Sequence, residues 1–209
     1  MHGIRNECQD FILSFLANRK YIVNYENTSS FEYTLNLGTP QGSNLGPILF
    51  VLYINDLPRH ILHGKTYMYA DDTAVVVSAD NPDQAAEKLN QVIAEFTFWC
   101  QTNKLTANTE KTIILNMSRV KVGQYITPME SAVIPCQPTS TYLGCKIDDN
   151  LSWNSHLDHV RSKLNKAYYL ISRIRNQFDT THIIEVYYAV VYSHLSYNIN
   201  VLGCKYRSK

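Results

Sequence analysis

Two aspartates stand side by side in TYMYADDTAVVV, residues 66–77, between two runs of strand-forming residues. Adjacent carboxylates are costly to pack there, because like charges at short range push one pKa up unless a cation neutralises them. Magnesium would be that cation. A hard divalent ion held by one or two carboxylates, with substrate phosphates completing its shell, is the arrangement of phosphoryl-transfer sites. An isolated Asp-Asp is more often a solvated turn, and it is the company of Asp71 and Asp72 that reverses the reading. Upstream, TPQGSNLGP at residues 39–47 supplies Gly42 and Gly46, where a backbone can approach a ligand closely, and Gln41, which offers a donor and an acceptor together. Such a loop could contact a nucleotide or a base pair.

The elements that must position these residues follow from hydrophobic period and turn chemistry. Phe11, Ile12, Phe15 and Leu16 fall at helical spacing within residues 6–19, and YIVNYENTSSFEYTLNL reads as two strands around a polar turn. The glycine- and proline-rich loop then feeds a helix over ILFVLYINDLP. TYMYA and TAVVVSA flank the two aspartates with a hairpin-like separation. Asn81-Pro82 reads as an N-cap with proline in the first helical turn, after which Leu89, Val92, Ile93, Phe96 and Trp99 recur on one face. KLTANTEKTIILNMS reads as a turn into a strand, residues 121–141 as a loop-rich connection to STYLGCKID, and a boundary is expected near residue 150. Beyond it, Leu157, Val160, Leu164, Ala167, Ile171 and Ile174 share a helical arc opposite Lys166 and Arg173, and a second helix is expected over 181–198.

Composition bounds the function classes. With 209 residues, 45% of them hydrophobic, the chain can bury a core, so one globular unit or two small lobes is expected rather than disorder. The formal net charge of +1 hides an uneven distribution: residues 155–209 hold eight Lys/Arg against three Asp/Glu, whereas residues 61–154 hold seven against ten. Five cysteines, Cys8, Cys100, Cys136, Cys145 and Cys204, form an odd set without a CxxC pair, which indicates neither a disulfide framework nor a zinc site. No charged-then-apolar leader opens the chain, and its apolar runs are far shorter than the roughly 20 residues of a membrane span. A reduced, soluble, intracellular protein of cytoplasm or nucleus, without a membrane partner, is expected.

Taken together, the sequence resembles the reverse transcriptases of non-LTR retrotransposons, most closely the jockey-like and related LINE-type elements. TPQGSNLGPILFVLYINDLP resembles the family's motif B and YADDT its motif C. FWCQTNKLTANTEKT resembles motif D through Trp99, Asn103, Leu105, Asn108, Lys111 and Thr112. STYLGCKIDDNLSWNSH resembles the segment that closes the palm and enters the thumb, HGIRNECQDFILSFLANRKYIV the helix before motif B, and YYAVVYSHLSYNINVLG the last thumb helix. The likeness runs from about residue 3 to about residue 203. Departures are small: Tyr69 where many relatives have Phe, Thr39 where many have Val, and Asn36 near an often basic position.

The resemblance implies an α+β fold: a polymerase palm-like antiparallel sheet with packed helices over residues 1–150, then a helical thumb-like lobe over residues 151–209. It implies that Asp71 and Asp72 help hold catalytic Mg2+, Asp71 being the firmer ligand. Gln41, Gly42 and Ser43 would line the pocket for the incoming deoxynucleotide and templating base, and Tyr69 would pack beside the primer end. Lys111 would stabilise or protonate the leaving pyrophosphate. Tyr142, Leu143 and Gly144 would form a turn like the primer grip, and the basic helix at 157–175 would follow the duplex backbone by phosphate contacts. RNA template, DNA primer and deoxynucleoside triphosphates are the implied partners. The family's centre uses a third carboxylate, in a motif A stretch preceding the helix at residues 6–19, and neither that stretch nor the fingers is found in these 209 residues. The expectation is therefore a polymerase fragment that extends primers little or not at all by itself. The alternative is a catalytically dead remnant that binds RNA or an RNA–DNA hybrid.

Overall fold

The computed structural model describes residues 3–35, 38–118, 128–129, 132–197 and 199. Asn36, residues 121–127, 130 and 131 of the 121–141 connection, and Asn198 in the 181–198 helix lie outside the described residues. The chain forms two compact units, residues 1–76 and residues 77–209. Each mixes helices with two-stranded sheets, and all but one of the strand pairs are antiparallel. This is the α+β composition expected from the sequence.

The first unit opens with helix α1, Glu7–Leu16, on which Phe11 and Phe15 stack one turn apart. A long hairpin follows, with β1 (Arg19–Tyr21) pairing β4 (Tyr33–Leu35) and β2 (Asn24–Tyr25) pairing β3 (Thr28–Ser29) at its tip. Tyr21 and Tyr33 sit directly opposite and stack at 5.4 Å, the kind of cross-strand aromatic pair that fixes a register. Arg19 then ties this hairpin forward: its Nε donates to the Leu16 carbonyl and its Nη2 to the Gly38 carbonyl at 2.6 Å, just before the motif B loop. Helices α2 (Leu45–Ile54) and α3 (Leu57–His60) bury Ile54 and Leu57, and Ile61 after them is buried too. The unit ends in the hairpin of β5 (Lys65–Tyr69) and β6 (Asp72–Val76).

The second unit is organised by α4, Pro82–Thr102. The expected N-cap is present, the Asn81 side chain accepting the Gln84 N–H at 2.9 Å. The expected face is also the buried one: Val92, Ile93 and Trp99 are buried, and Leu89 and Phe96 pack with Ala107 and Ile114 around Ile93 and Ile134. Strand β7 (Ile114–Leu115) is followed by the short pair β8 (Pro128–Met129) and β9 (Ala132–Val133), and β7 pairs in parallel with β10 (Cys136–Gln137). Hairpin β11 (Thr139–Tyr142) and β12 (Cys145–Asp148) leads to α5, Asn154–Ile174. Helix α6 (Thr180–Tyr187) then runs through a wide π turn at Tyr188–Tyr192 into α7, Ser193–Ser196.

Two local readings of the sequence shift by a residue. Helix α5 turns Val160, Leu164, Ala167, Ile171 and Ile174 inward as expected, but Leu157 is exposed and His156 takes the buried place beside it. A hydrogen bond helps hold it there, the Lys146 backbone N–H donating to His156 Nδ1 at 3.3 Å, which pairs one of the two ring nitrogens where a leucine would offer no acceptor. The second shift concerns the aspartates. Among the described residues no helix is long and apolar enough to cross a membrane.

Candidate active site

Strands β5 and β6 pair antiparallel with Tyr69 opposite Asp72, so the two loop residues of the hairpin are Ala70 and Asp71 rather than the aspartate pair. Asp72 is the first residue of β6. Ala70 has φ 49 and Asp71 does not share its positive sign, the pattern of a II′ turn whose first central position normally belongs to glycine. A side chain in that region costs roughly 1–2 kcal/mol. The sequence carries no glycine here, which is why the turn could not be placed to the residue from pattern alone.

Register divides the hairpin into two faces. Thr66, Met68, Thr73 and Val75 lie on a half-buried face. Tyr67, Tyr69, Asp72 and Val76 belong to the opposite, open face, where the Lys65 ammonium stands 5.3 Å from the Tyr67 ring. Asp72 thus shares its face with Tyr69, its direct cross-strand neighbour, while Asp71 projects from the turn. Both carboxylates are exposed, and among the described residues neither has a hydrogen bond or an ion pair. Carboxylates left without internal partners at a strained tip remain available to an external cation.

The motif B loop is pinned from within. Ser43 N–H points to the Pro40 carbonyl at 3.4 Å around a turn whose third residue, Gly42, has φ 80, the type II arrangement. The Ser43 hydroxyl donates to the Pro40 carbonyl at 2.8 Å and accepts the Gly46 N–H at 3.0 Å. Its hydrogen-bonding capacity is therefore spent largely on the loop, leaving Gln41 and Gly42 exposed at the apex. Gly46 is buried against this turn, where a Cβ would lie 3.1 Å from Ser43 Oγ.

The motif D residues form two consecutive caps in the second unit. Asn103 closes α4 through the Trp99 carbonyl, and the Lys104 and Leu105 N–H groups donate to the Gln101 and Cys100 carbonyls in a Schellman motif. Lys104 occupies its left-handed position. Asn108 then organises the next turn: its Oδ1 accepts the Lys111 N–H at 3.1 Å, and its carbonyl accepts the Thr112 hydroxyl at 2.8 Å. Lys111 is exposed on that turn. Gln41, Gly42, Ser43, Tyr69, Asp71 and Asp72 belong to the first compact unit and Lys111 to the second.

A family model described as "Reverse transcriptase (RNA-dependent DNA polymerase)" matches residues 2–147, a stretch that includes all seven of these residues. The chain belongs to the reverse transcriptase family. Its relatives within that family are carried by mobile elements. It is 25% identical over 198 residues to the probable RNA-directed DNA polymerase from transposon X-element of Drosophila melanogaster, covering 91% of this chain and 22% of that protein. To the probable RNA-directed DNA polymerase from transposon BS of the same fly it is 29% identical over 171 residues, covering 78% of this chain and 18% of that one. To the RNA-directed DNA polymerase from mobile element jockey it is 24% identical over 208 residues, covering 94% and 23%. The chain thus spans about a fifth of the length of the curated relatives it matches. No solved structure matches it.

Helix α5 with its buried His156 begins beyond the matched stretch, and sequence reasoning did not single that histidine out. The signal that could have found it is its placement one residue off the apolar arc of an otherwise regular amphipathic helix.

Proposed function

We propose that this chain is the part of an RNA-directed DNA polymerase that presents the motif C carboxylates and the motif B loop to a primer, a template and a deoxynucleoside triphosphate. The observation that carries this reading is the hairpin tip at Ala70–Asp72, where backbone strain is accepted and two carboxylates are exposed without an internal partner. Strain retained beside polar groups with no structural task is a feature of functional sites.

The donor set suits a divalent ion of the magnesium type: two hard carboxylate oxygen donors, with room for substrate phosphates. Bound there, Mg2+ would supply charge stabilisation for the attacking 3′ oxygen and the departing oxygen. Among the described residues no group of three or more His, Cys, Asp and Glu side chains could by itself hold a metal ion, so Asp71 and Asp72 are a partial ligand set. The reaction forms a bond from the primer 3′ oxygen to the α-phosphorus and breaks the bond to pyrophosphate, while the 3′-hydroxyl gives up its proton. Within this scheme Gln41 and Gly42 meet the incoming nucleotide and Ser43 positions them, since its hydroxyl holds their turn. Tyr69, on the face it shares with Asp72, packs beside the primer end. Lys111, an exposed cation whose backbone N–H is held by Asn108 Oδ1, would neutralise or protonate the leaving pyrophosphate.

Residues 1–150 are read as palm and residues 151–209 as a thumb-like lobe. A second reading, in which the chain binds RNA or an RNA–DNA hybrid without turnover, is favoured by the eight Lys/Arg against three Asp/Glu in residues 155–209.

Primer extension on an RNA template tests the reading. The 209-residue chain with magnesium is expected to incorporate little, because a centre short of one carboxylate loses on the order of several kcal/mol of barrier lowering. Extended upstream with a family segment that carries the third carboxylate, it is expected to polymerise and to stop on Asp71→Ala. Extension that survives Asp71→Ala would overturn the assignment.

A further inference from the structure

The second unit holds a cavity of about 290 Å³ lined by three histidines and a lysine. One side is a single face of α5, His156, His159 and Lys163 at helical spacing, and the other is His194 and Tyr197 at the end of α7. Among the described residues no carboxylate and no cysteine lines it. The Tyr197 hydroxyl donates to the Leu143 carbonyl, which fastens the end of α7 to the turn of the β11–β12 hairpin and closes the cavity's far side. His156 is 2% exposed. Because its Nδ1 accepts the Lys146 N–H, the proton of the neutral ring resides on Nε2, and that buried donor has no partner among the described residues.

We propose that this cavity is an oxyanion site that takes a phosphate group. A buried donor without an acceptor costs free energy, and a wall of histidines and a lysine offers hydrogen-bond donors that a phosphate oxygen can accept. Lys163 and the imidazoles of His159 and His194 would add charge-assisted hydrogen bonds around the same anion. A metal ion is the wrong occupant, since the lysine beside the histidines repels it, and no metal-holding group occurs among the described residues. The local electrostatics agree. Partial burial first, then Lys146 and Lys163, then His156 and His194, hold the His159 imidazole below its ordinary range. Among the described residues every charged group acting on it is basic, so the free cavity favours a negative charge. An entering dianion reverses that balance and favours the protonated ring. Binding therefore takes up a proton, strengthens as pH falls through the imidazole range and weakens above it. The inference is independent of the polymerase reading, because a free anion suffices to test it.

Imidazole nitrogen NMR of the full 209-residue chain, at constant ionic strength in chloride, is the test. Inorganic phosphate is titrated first, sulfate next because its charge is constant with pH, and oligothymidylate last. The expected result is a saturable shift of the His159 and His194 signals. The half-saturating sulfate concentration should be about tenfold lower near pH 6 than near pH 8, the size of a charge-assisted hydrogen bond. His159→Gln and Lys163→Gln, both outside the buried core, should each weaken binding by about tenfold, while His63→Gln should not. Displacement of phosphate by oligothymidylate would identify a nucleic-acid backbone as the source of the phosphate group, and saturable binding without displacement a free anion. Non-saturable shifts, shifts unchanged in Lys163→Gln, or equal shifts on adding chloride would overturn the proposal.

Discussion

Two hairpins of this molecule share a construction and differ in what their turns contain. Hairpin β5–β6 turns through Ala70–Asp71, and hairpin β11–β12 through Leu143–Gly144, each with two loop residues between paired ends. In the second, both loop residues have positive φ, 47 for Leu143 and 74 for Gly144, the I′ geometry that matches strand twist. Glycine takes the second of those positions, and Tyr197 holds the turn from outside through the Leu143 carbonyl. In the first, the left-handed position falls on an alanine, nothing among the described residues bonds the carboxylates, and Asp71 and Asp72 face water. Each turn puts one non-glycine residue at positive φ, Leu143 in the second and Ala70 in the first. The second is fastened to α7 by Tyr197, whereas the first leaves two exposed carboxylates without an internal partner among the described residues, and that contrast is the physical argument for proposing chemistry at residues 69–72.

The contrast can be broken most directly at the carboxylates. In a polymerase that contains this chain and the family's upstream carboxylate, Asp71→Asn should lower primer extension by about 10³-fold, equivalent to about 4 kcal/mol of barrier. Its thermal midpoint should be unchanged, since no internal contact is lost. Gly144→Val should do the reverse, destabilising the chain by about 2 kcal/mol in urea unfolding because a β-branched side chain enters a left-handed position. A Cβ there would already meet the Tyr197 ring at 3.5 Å.

Smaller effects sharpen the picture. Tyr197→Phe should cost about 1 kcal/mol through the lost hydroxyl bond to Leu143, again by urea midpoint. Ala70→Gly should raise stability by a little under about 1 kcal/mol, because relief of the left-handed strain is partly offset by the freer unfolded chain. An unchanged or lower midpoint would mean that the tip is not strained. The smallest effect lies outside both hairpins. Asp179 caps α6 and its carboxylate is held below the usual range, first by the His182 side chain and then by the His182 backbone N–H. A depressed folded pKa means stability present above the ordinary aspartate value and lost as pH falls through the lower one. Asp179→Asn should therefore flatten the acid limb of the helix signal in circular dichroism.

Much of this was legible in the sequence, for identifiable reasons. Helix α4 declared itself by Asn81-Pro82 and by a face that repeats at helical period, and both survive in the structure. The residues of the candidate site were legible as types, because carboxylates, glycines and a lysine in this order have few other uses together. The exact turn was not, because Ala70 occupies a position whose usual marker is glycine. The role of the Asn and Thr in motif D was not legible either. Asn103, Asn108 and Thr112 act through backbone carbonyls and N–H groups, which leave no trace in hydrophobic pattern. His156 was hidden for the same reason, its Nδ1 accepting a hydrogen bond from the β12 backbone.

The central claim is that Asp71 and Asp72 together attract a divalent ion at the hairpin tip. Paramagnetic broadening of backbone amide signals by Mn2+ measures this on the 209-residue chain without requiring turnover. Selective broadening of Tyr69 to Thr73, reversed by excess Mg2+ and absent from Asp71→Asn/Asp72→Asn, is the result expected. Broadening that is spread over the other exposed carboxylates, or that persists in the double variant, would contradict it.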